Sequence, residues 1–196
     1  MRYGIDMKRL RKNDWLQEGL SILNTEDFTG ITIDNLCRRL SITKGSFYHH
    51  FKNFDNYIEE LMMFWMQKNT LELIRLTNLP TVKIKRARIH ELAKDIDHQA
   101  ELRIRAWSFS NLLVKEYVQK VDRIRLEYLM SLNLSVGHNT KMAKQLAMLD
   151  YSDLVGFQLL FSDLSAEQLS ELWQFRDSLL SLEYLNEGRK THANNK

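Results

Sequence analysis

Between Ile31 and Phe51 the chain is written for two short helices joined by a tight turn. Ile33, Leu36, Cys37 and Leu40 recur at i, i+3, i+4 and i+7, the spacing of one helical face. A second helix is predicted from Thr43. There Lys44, Gly45, Ser46, Tyr48, His49 and His50 are small or polar, and only Phe47 and Phe51 are obliged to face inward. A helix this short offers the core few anchors and leaves its remaining surface free to contact something else. Two such helices across a tight turn form the layout of a helix-turn-helix, whose second helix enters the DNA major groove.

The detailed residues go further. Thr32-Ile33 before the first of these helices, followed by the run Ile42-Thr43-Lys44-Gly45-Ser46-Phe47-Tyr48-His49-His50-Phe51-Lys52-Asn53, resembles the signature of the TetR family of bacterial transcriptional regulators. The resemblance covers about residues 8–65. It implies an all-α chain with a helix-turn-helix DNA-binding domain over 8–65 and a helical ligand-binding and dimerisation domain over 66–187. It implies a sequence-specific DNA-binding regulator and not an enzyme: a homodimeric repressor released by a small-molecule effector. The alternative is a helix-turn-helix protein controlled by a protein partner, or an architectural one, without such an effector.

The DNA-facing set expected is Thr32, Thr43, Lys44, Gly45, Ser46, Tyr48, His49, His50 and Lys52. Thr32 and Thr43 sit at helix N-termini, where free N–H groups suit phosphates. Lys44 can reach a phosphate or the O6/N7 edge of guanine. Gly45 lets backbone approach DNA closely, and Ser46 can bond a base edge or a phosphate. By the resemblance, Tyr48 contacts phosphate through its hydroxyl, and His49 and His50 fall where bases and backbone are contacted. Lys52 extends the phosphate contacts. The chain departs from the family pattern twice. Ser41 holds the turn position usually occupied by Gly, which forces a strained conformation on a residue with a side chain. Phe54 replaces a customary phosphate-binding Lys, so it is expected to pack, with Lys52 or Asn53 taking over part of the anchoring.

Charge and composition fit this reading without dictating it. The net charge over 196 residues is +3 and the isoelectric point about 8.9. The positive residues are local: Lys8, Arg9, Arg11 and Lys12 precede the first helix, and Arg38, Arg39, Lys44 and Lys52 flank the motif. Cys37 is the one cysteine, which excludes an intrachain disulfide, suits a reducing cytoplasm and reads as a small core residue. No stretch reaches the length needed to span a bilayer, and Met1–Arg11 is followed by no apolar segment of a secretory signal.

With one Pro and seven Gly, long helices with short connections are expected. A first helix is predicted over Arg9–Asn24 with the stripe Trp15, Leu16, Leu20 and Leu23, and Phe28 plugs the following turn into the core. Thr32, Thr43, Asn53 and Thr140 are the expected N-caps. The stripe Phe54, Tyr57, Ile58, Leu61, Met62 and Trp65 makes a fourth helix that bridges to the body. Helical periodicity continues near Met66–Leu76, Val82–Asp95, Ala100–Leu132, Thr140–Leu160 and Ala166–Leu185, with a break at Pro80 and a Ser165–Gln168 capping box. The C-terminal part also resembles one branch of the family, which implies a small-residue packing face at Ala143, Ala147 and Gly156. The polar tail after Glu187 lacks apolar anchors.

The body shows no catalytic constellation, phosphate loop or nucleophile elbow, and no cofactor is expected. His90, Asp95, Asp97 and His98 cluster in sequence, but the two histidines lie two helical turns apart, too far for one metal. Trp107 and Phe109, with Leu113, Tyr117, Trp65, Met62 and Met66, are the candidate lining of an apolar ligand cavity, and Arg103 and Arg105 candidate partners of an anionic ligand. Leu146, Leu149, Leu159, Leu160, Leu169, Leu172, Trp173, Phe175 and Leu179 present more apolar surface than one helical layer buries. That surplus predicts a two-fold dimer whose heads read half-sites about 34–36 Å apart.

Overall fold

The computed structural model describes residues 10–93, 98–161, 164–165, 167–176 and 178, and among these the chain is helical with no strand. Nine α-helices follow one another: α1 (Lys12–Thr25), α2 (Ile33–Leu40), α3 (Lys44–His50), α4 (Phe54–Met66), α5 (Glu72–Leu76), α6 (Val82–Ala93), α7 (His98–Trp107), α8 (Leu112–Ser135) and α9 (Thr140–Leu160). A 3₁₀ turn (Phe28–Gly30) precedes α2, and a π-helical turn (Gln67–Leu71) carries α4 into α5 without a break in the helix. The expected domain boundary at residue 65 therefore falls inside continuous helix. Residues 167–176 form a further helical run. The expected start at Arg9, the segment 94–97, Leu179 and the tail after Glu187 lie outside the described residues.

Local chemistry sets most of the helix ends. Thr32 accepts from the Asn35 N–H at 3.1 Å and Asn53 from the Asn56 N–H at 2.8 Å, so both cap as expected; such caps contribute about 1 kcal/mol each. Ser165 and Gln168 close the capping box, with the Ser165 N–H donating to Gln168 Oε1 at 2.8 Å. Two expected caps differ. Thr43 holds the N-cap position of α3 without a side-chain cap bond. The cap of α9 is Asn139, not Thr140, and accepts from the Met142 N–H at 3.0 Å. The long helix expected over Ala100–Leu132 is two helices. α7 ends at Trp107, and α8 restarts after Asn111, whose side chain accepts from the Val114 N–H at 3.1 Å.

One continuous core joins the first helices to the body. Trp15, Ile22, Leu23, Leu36, Phe47, Phe51, Tyr57, Leu61, Met62 and Trp65 are buried together with Ile104, Val114 and Val121. α1 crosses α4 at Gly19, where an added Cβ would lie 2.3 Å from Tyr57 Oη, so only glycine admits this approach. The Tyr57 hydroxyl donates to the Trp15 carbonyl at 3.1 Å across the same contact. Phe28 stacks on Trp107 at 5.9 Å, and Arg103 donates to the Leu23 carbonyl at 2.7 Å in the last turn of α1. α8 and α9 pack along their lengths with Ala143 and Ala147 buried. Gly156 does not share that face: a Cβ there would meet nothing within 4 Å.

Candidate nucleic-acid interface and internal cavity

The turn before α3 is tight because Ser41 adopts the left-handed conformation, at φ 55° and ψ 44°, at the end of α2. It is the one non-glycine residue with positive φ among those described. Phe47 and Phe51 then drop one helical turn apart into an aromatic cluster. Phe47 meets Trp15 edge-on at 5.5 Å, and Phe51 meets Tyr57 edge-on at 4.9 Å. This grip fixes the rotation of α3. Lys44, Gly45, Tyr48, His49 and Lys52 are exposed along its outer side, as is Thr43; Ser46 and His50 are half-buried, His50 against Trp15. Tyr48 is 56% exposed although its ring touches Phe47. Thr32, at the start of α2, is exposed as well.

Gly45 has room for a side chain inside the free protein, because the nearest atom to an added Cβ is Thr43 Oγ1 at 3.7 Å. Nothing among the described residues demands glycine here. Lys44 pairs with exposed Asp34 at 2.6 Å, and this bond and charge hold its ammonium above the ordinary lysine range. Phe54 packs on Tyr57 at 6.1 Å, as its apolar character predicted. Two flanking cations are committed internally. Arg39 clamps α2 to α1 through Glu18, Glu26 at 2.9 Å and the Ser21 hydroxyl at 3.1 Å. Lys12 pairs with Glu60 at 2.6 Å.

The residues singled out for an effector stand elsewhere than expected. Phe109 is 93% exposed in the turn between α7 and α8. Trp107 is occupied by Phe28, and Arg103 by the Leu23 carbonyl. A cavity of about 110 Å³ lies instead between α5, α6, α8, α9 and the run 167–176, and none of these three residues lines it. Its wall is mostly aliphatic and aromatic, including Leu73, Ile89, Leu129, Leu154 and Trp173, with His90 stacked on Trp173 at 4.8 Å. His98 bonds Gln158 at 2.9 Å, while Asp95 and Asp97 lie outside the described residues. No cluster of three metal-ligating side chains occurs among the described residues.

Beside the cavity runs a buried ionic network absent from the sequence reading as a unit. Arg125 donates to both oxygens of Glu101, at 2.7 and 3.3 Å, and also to Thr70 Oγ1, the Asn69 carbonyl and the Tyr151 hydroxyl. Arg105 forks onto Asp122 at 2.7 and 3.2 Å, and Tyr151 donates to Asp122 at 2.6 Å. Trp65 of α4 donates to Glu101 at 3.1 Å. Burial pushes the Glu101 carboxyl up, but Arg125, Arg105 and the Trp65 bond outweigh it and hold it below the ordinary range. Burial also dominates at Tyr151, whose hydroxyl is pushed up to about 12. The sequence signal for this network was the i, i+4 pair Glu101–Arg105 on an otherwise apolar face.

A helix-turn-helix mounted on a helical body defines the class of fold. No family model and no curated protein matches the chain. Solved structures do. A TetR transcriptional regulator of Legionella pneumophila is 14% identical, with TM-score 0.69 over 91% of this chain and 99% of that one. A transcriptional regulator of Aquifex aeolicus is 15% identical, with TM-score 0.67 over 86% and 98%. NemR of E. coli in its reduced form is 16% identical, with TM-score 0.68 over 82% and 92%. The chain has the fold of TetR-family transcriptional regulators, as the residues of its helix-turn-helix implied.

Proposed function

We propose that this protein is a sequence-specific DNA-binding transcriptional regulator, acting in the cytoplasm as a homodimeric repressor that a small molecule releases. The observation that carries this reading is the mounting of α3. Phe47 and Phe51 lock it by one side and leave Lys44, Gly45, Tyr48 and His49 outward and exposed among the described residues. The division of labour follows residues 8–65 for DNA and 66–187 for dimerisation and ligand. Thr43, whose hydroxyl makes no cap bond, is suited to a phosphate, as are Lys52 and Tyr48; Lys44, Ser46 and His49 are suited to base edges. Thr32 and His50, each engaged within the chain, are assigned to the rim of the interface.

Dimerisation is supported by α9. Leu149, Gly156, Leu159 and Leu160 fall on one face and are not buried, and Leu172 and Phe175 are exposed on the run 167–176. Gly156, with open space where a Cβ would stand, permits a second copy to approach closely. Leu169 and Trp173, first counted toward that surface, are buried within the chain. The cavity favours an effector over control by a protein partner alone. Its wall shares Thr70, Asn69 and Arg125 with the network that reaches Trp65 in α4. A ligand that prefers one arrangement of this network shifts α4 and, through it, the separation of the two heads.

The test is binding of the purified protein to DNA flanking its own gene, followed by fluorescence anisotropy at two salt concentrations against scrambled competitor. Saturable binding that survives competitor and weakens with salt is the expected result. Absence of binding at low salt contradicts the reading.

A further inference from the structure

The charges around the cavity decide what it can hold. Three arginines border it: Arg86, Arg125 and Arg176. All five N–H donors of Arg125 are occupied by Glu101, Thr70, Asn69 and Tyr151. Arg86 and Arg176 converge on Asp150 from two sides, Arg86 at 3.0 Å, and the Asp150 side chain is only 6% exposed. Arg86 also donates to Asn133 Oδ1 at 2.6 Å, and Arg176 to Asp153 at 2.8 Å. Three positive groups thus face Asp150, Asp153 and Glu101, and the local charge is balanced without a ligand. An anion would therefore meet no uncompensated positive charge among these groups, and a cation would have to take Asp150 from both arginines. In either case a desolvated charge is added without a partner of its own, which is strongly unfavourable.

Tyr128 and Thr77, on the wall, are differently placed. The Thr77 hydroxyl donates its single proton to the Ile74 carbonyl at 2.8 Å, one turn back in α5. In the 2.5 Å contact between Thr77 Oγ1 and Tyr128 Oη either oxygen can donate, and with the Thr77 proton placed on Ile74 we assign the donor role to Tyr128. The Tyr128 oxygen keeps lone pairs and has no proton left to give. A ligand group that meets it must be a donor. The volume sets the size: about 110 Å³ is of the order of the roughly 150 Å³ apolar cavity that accepts benzene.

We infer that the cavity binds an uncharged, mainly apolar small molecule about the size of a substituted benzene ring, carrying one hydroxyl or N–H that donates to Tyr128. This rests on the reading of the cavity as a ligand site. Benzyl alcohol, toluene, benzoate and benzylamine form a nearly isosteric series with the relevant differences in charge and donor, and can be titrated into the full chain by calorimetry and ligand-observed NMR. Benzyl alcohol is expected to saturate a single site, with benzoate and benzylamine weaker by more than about tenfold, the effect of desolvating an unpaired charge. Tyr128→Phe is expected to weaken benzyl alcohol by about fivefold, the scale of one hydrogen bond, and to leave toluene unchanged.

Tightest binding by benzoate or benzylamine, equal binding by all four, or saturation by none overturns the inference. DNA binding, measured separately, keeps the two claims apart. Benzyl alcohol bound with unaltered DNA affinity leaves this inference standing and removes the effector role. Benzoate that both binds tightest and releases DNA does the reverse.

Discussion

The first four helices and the α7–α9 body solve the same packing problem with opposite chemistry. Around α3 the interior is aromatic and aliphatic, built from Trp15, Phe47, Phe51 and Tyr57, with the pair Lys44–Asp34 outside it and Arg39–Glu18 half-buried at its edge. In the body the charges lie inside: Glu101, 1% exposed, is held by Arg125 and approached by Arg105, with Asp122 and Tyr151 completing the set. An apolar core fixes one arrangement because any displacement opens a void. A buried ionic cluster can exchange one satisfied set of partners for another, and it is the better place for a switch. The aromatic packing therefore holds α3 in one arrangement, and the ionic contacts gather where α4, α7, α8 and α9 meet.

The sharpest way to break this contrast is Glu101→Ala. Leaving Arg125 buried without its carboxylate is expected to cost about 3–5 kcal/mol in urea unfolding. Replacing Glu101 and Arg125 together with Met is expected to recover most of that loss, because the paired apolar replacement leaves no charge stranded. A single variant no worse than the double removes the case for an interdependent pair.

In the aromatic half, Gly19→Ala is the matching perturbation. Its Cβ would press on Tyr57 Oη and Leu61, both buried, and overpacking of this kind costs about 1–3 kcal/mol. An unchanged unfolding midpoint would mean that α1 and α4 adjust freely, against the rigidity assigned to this half.

Acid sharpens the comparison further. The Glu101 carboxyl lies below the ordinary value of 4.5, so the unfolded chain binds the extra proton first. The stability this group contributes is full above pH 4.5 and is lost as pH falls through the lowered folded value. Urea unfolding followed from pH 6 downward is expected to show that loss in the wild type and not in the double Met variant.

The smallest effect is expected at the surface. Asp34→Asn frees Lys44 from its exposed partner and removes a negative charge beside α3, the helix proposed to face DNA. DNA affinity is expected to rise about two- to fivefold at low salt, a gain that higher salt screens away. Weaker binding would show that Asp34 assists the interface.

The legibility of the two halves in the sequence differs for the same reason. The α2–α3 unit was readable because its determinants are local: Phe47 and Phe51 one turn apart, Thr32 and Asn53 at helix starts, and a polar exterior. The positive φ at Ser41 was legible only through the resemblance, which places a glycine at that turn position. The body hid two things. The break between α7 and α8 carries no Pro or Gly, and Phe109 and Leu112 extend an apolar pattern that the structure exposes to solvent. Ser108, Ser110 and Asn111 marked the restart, with Asn111 as the N-cap. The cavity wall gathers residues from 69 to 176, so no window of sequence contains it, and the aromatic cluster at Trp107 was the stronger local signal. The same distance concealed Arg125–Glu101 and Arg86–Asp150, pairs separated by 24 and 64 positions.

The most direct test of the account is the affinity of Lys44→Ala/Tyr48→Phe for the duplex that the wild type prefers, measured beside its thermal unfolding. Both side chains are exposed, so the fold is expected to be untouched while specific binding falls by more than about tenfold, as expected for removing a base-edge contact and a phosphate contact together. Unchanged affinity in a folded double variant would contradict the assignment of the outer face of α3 to DNA.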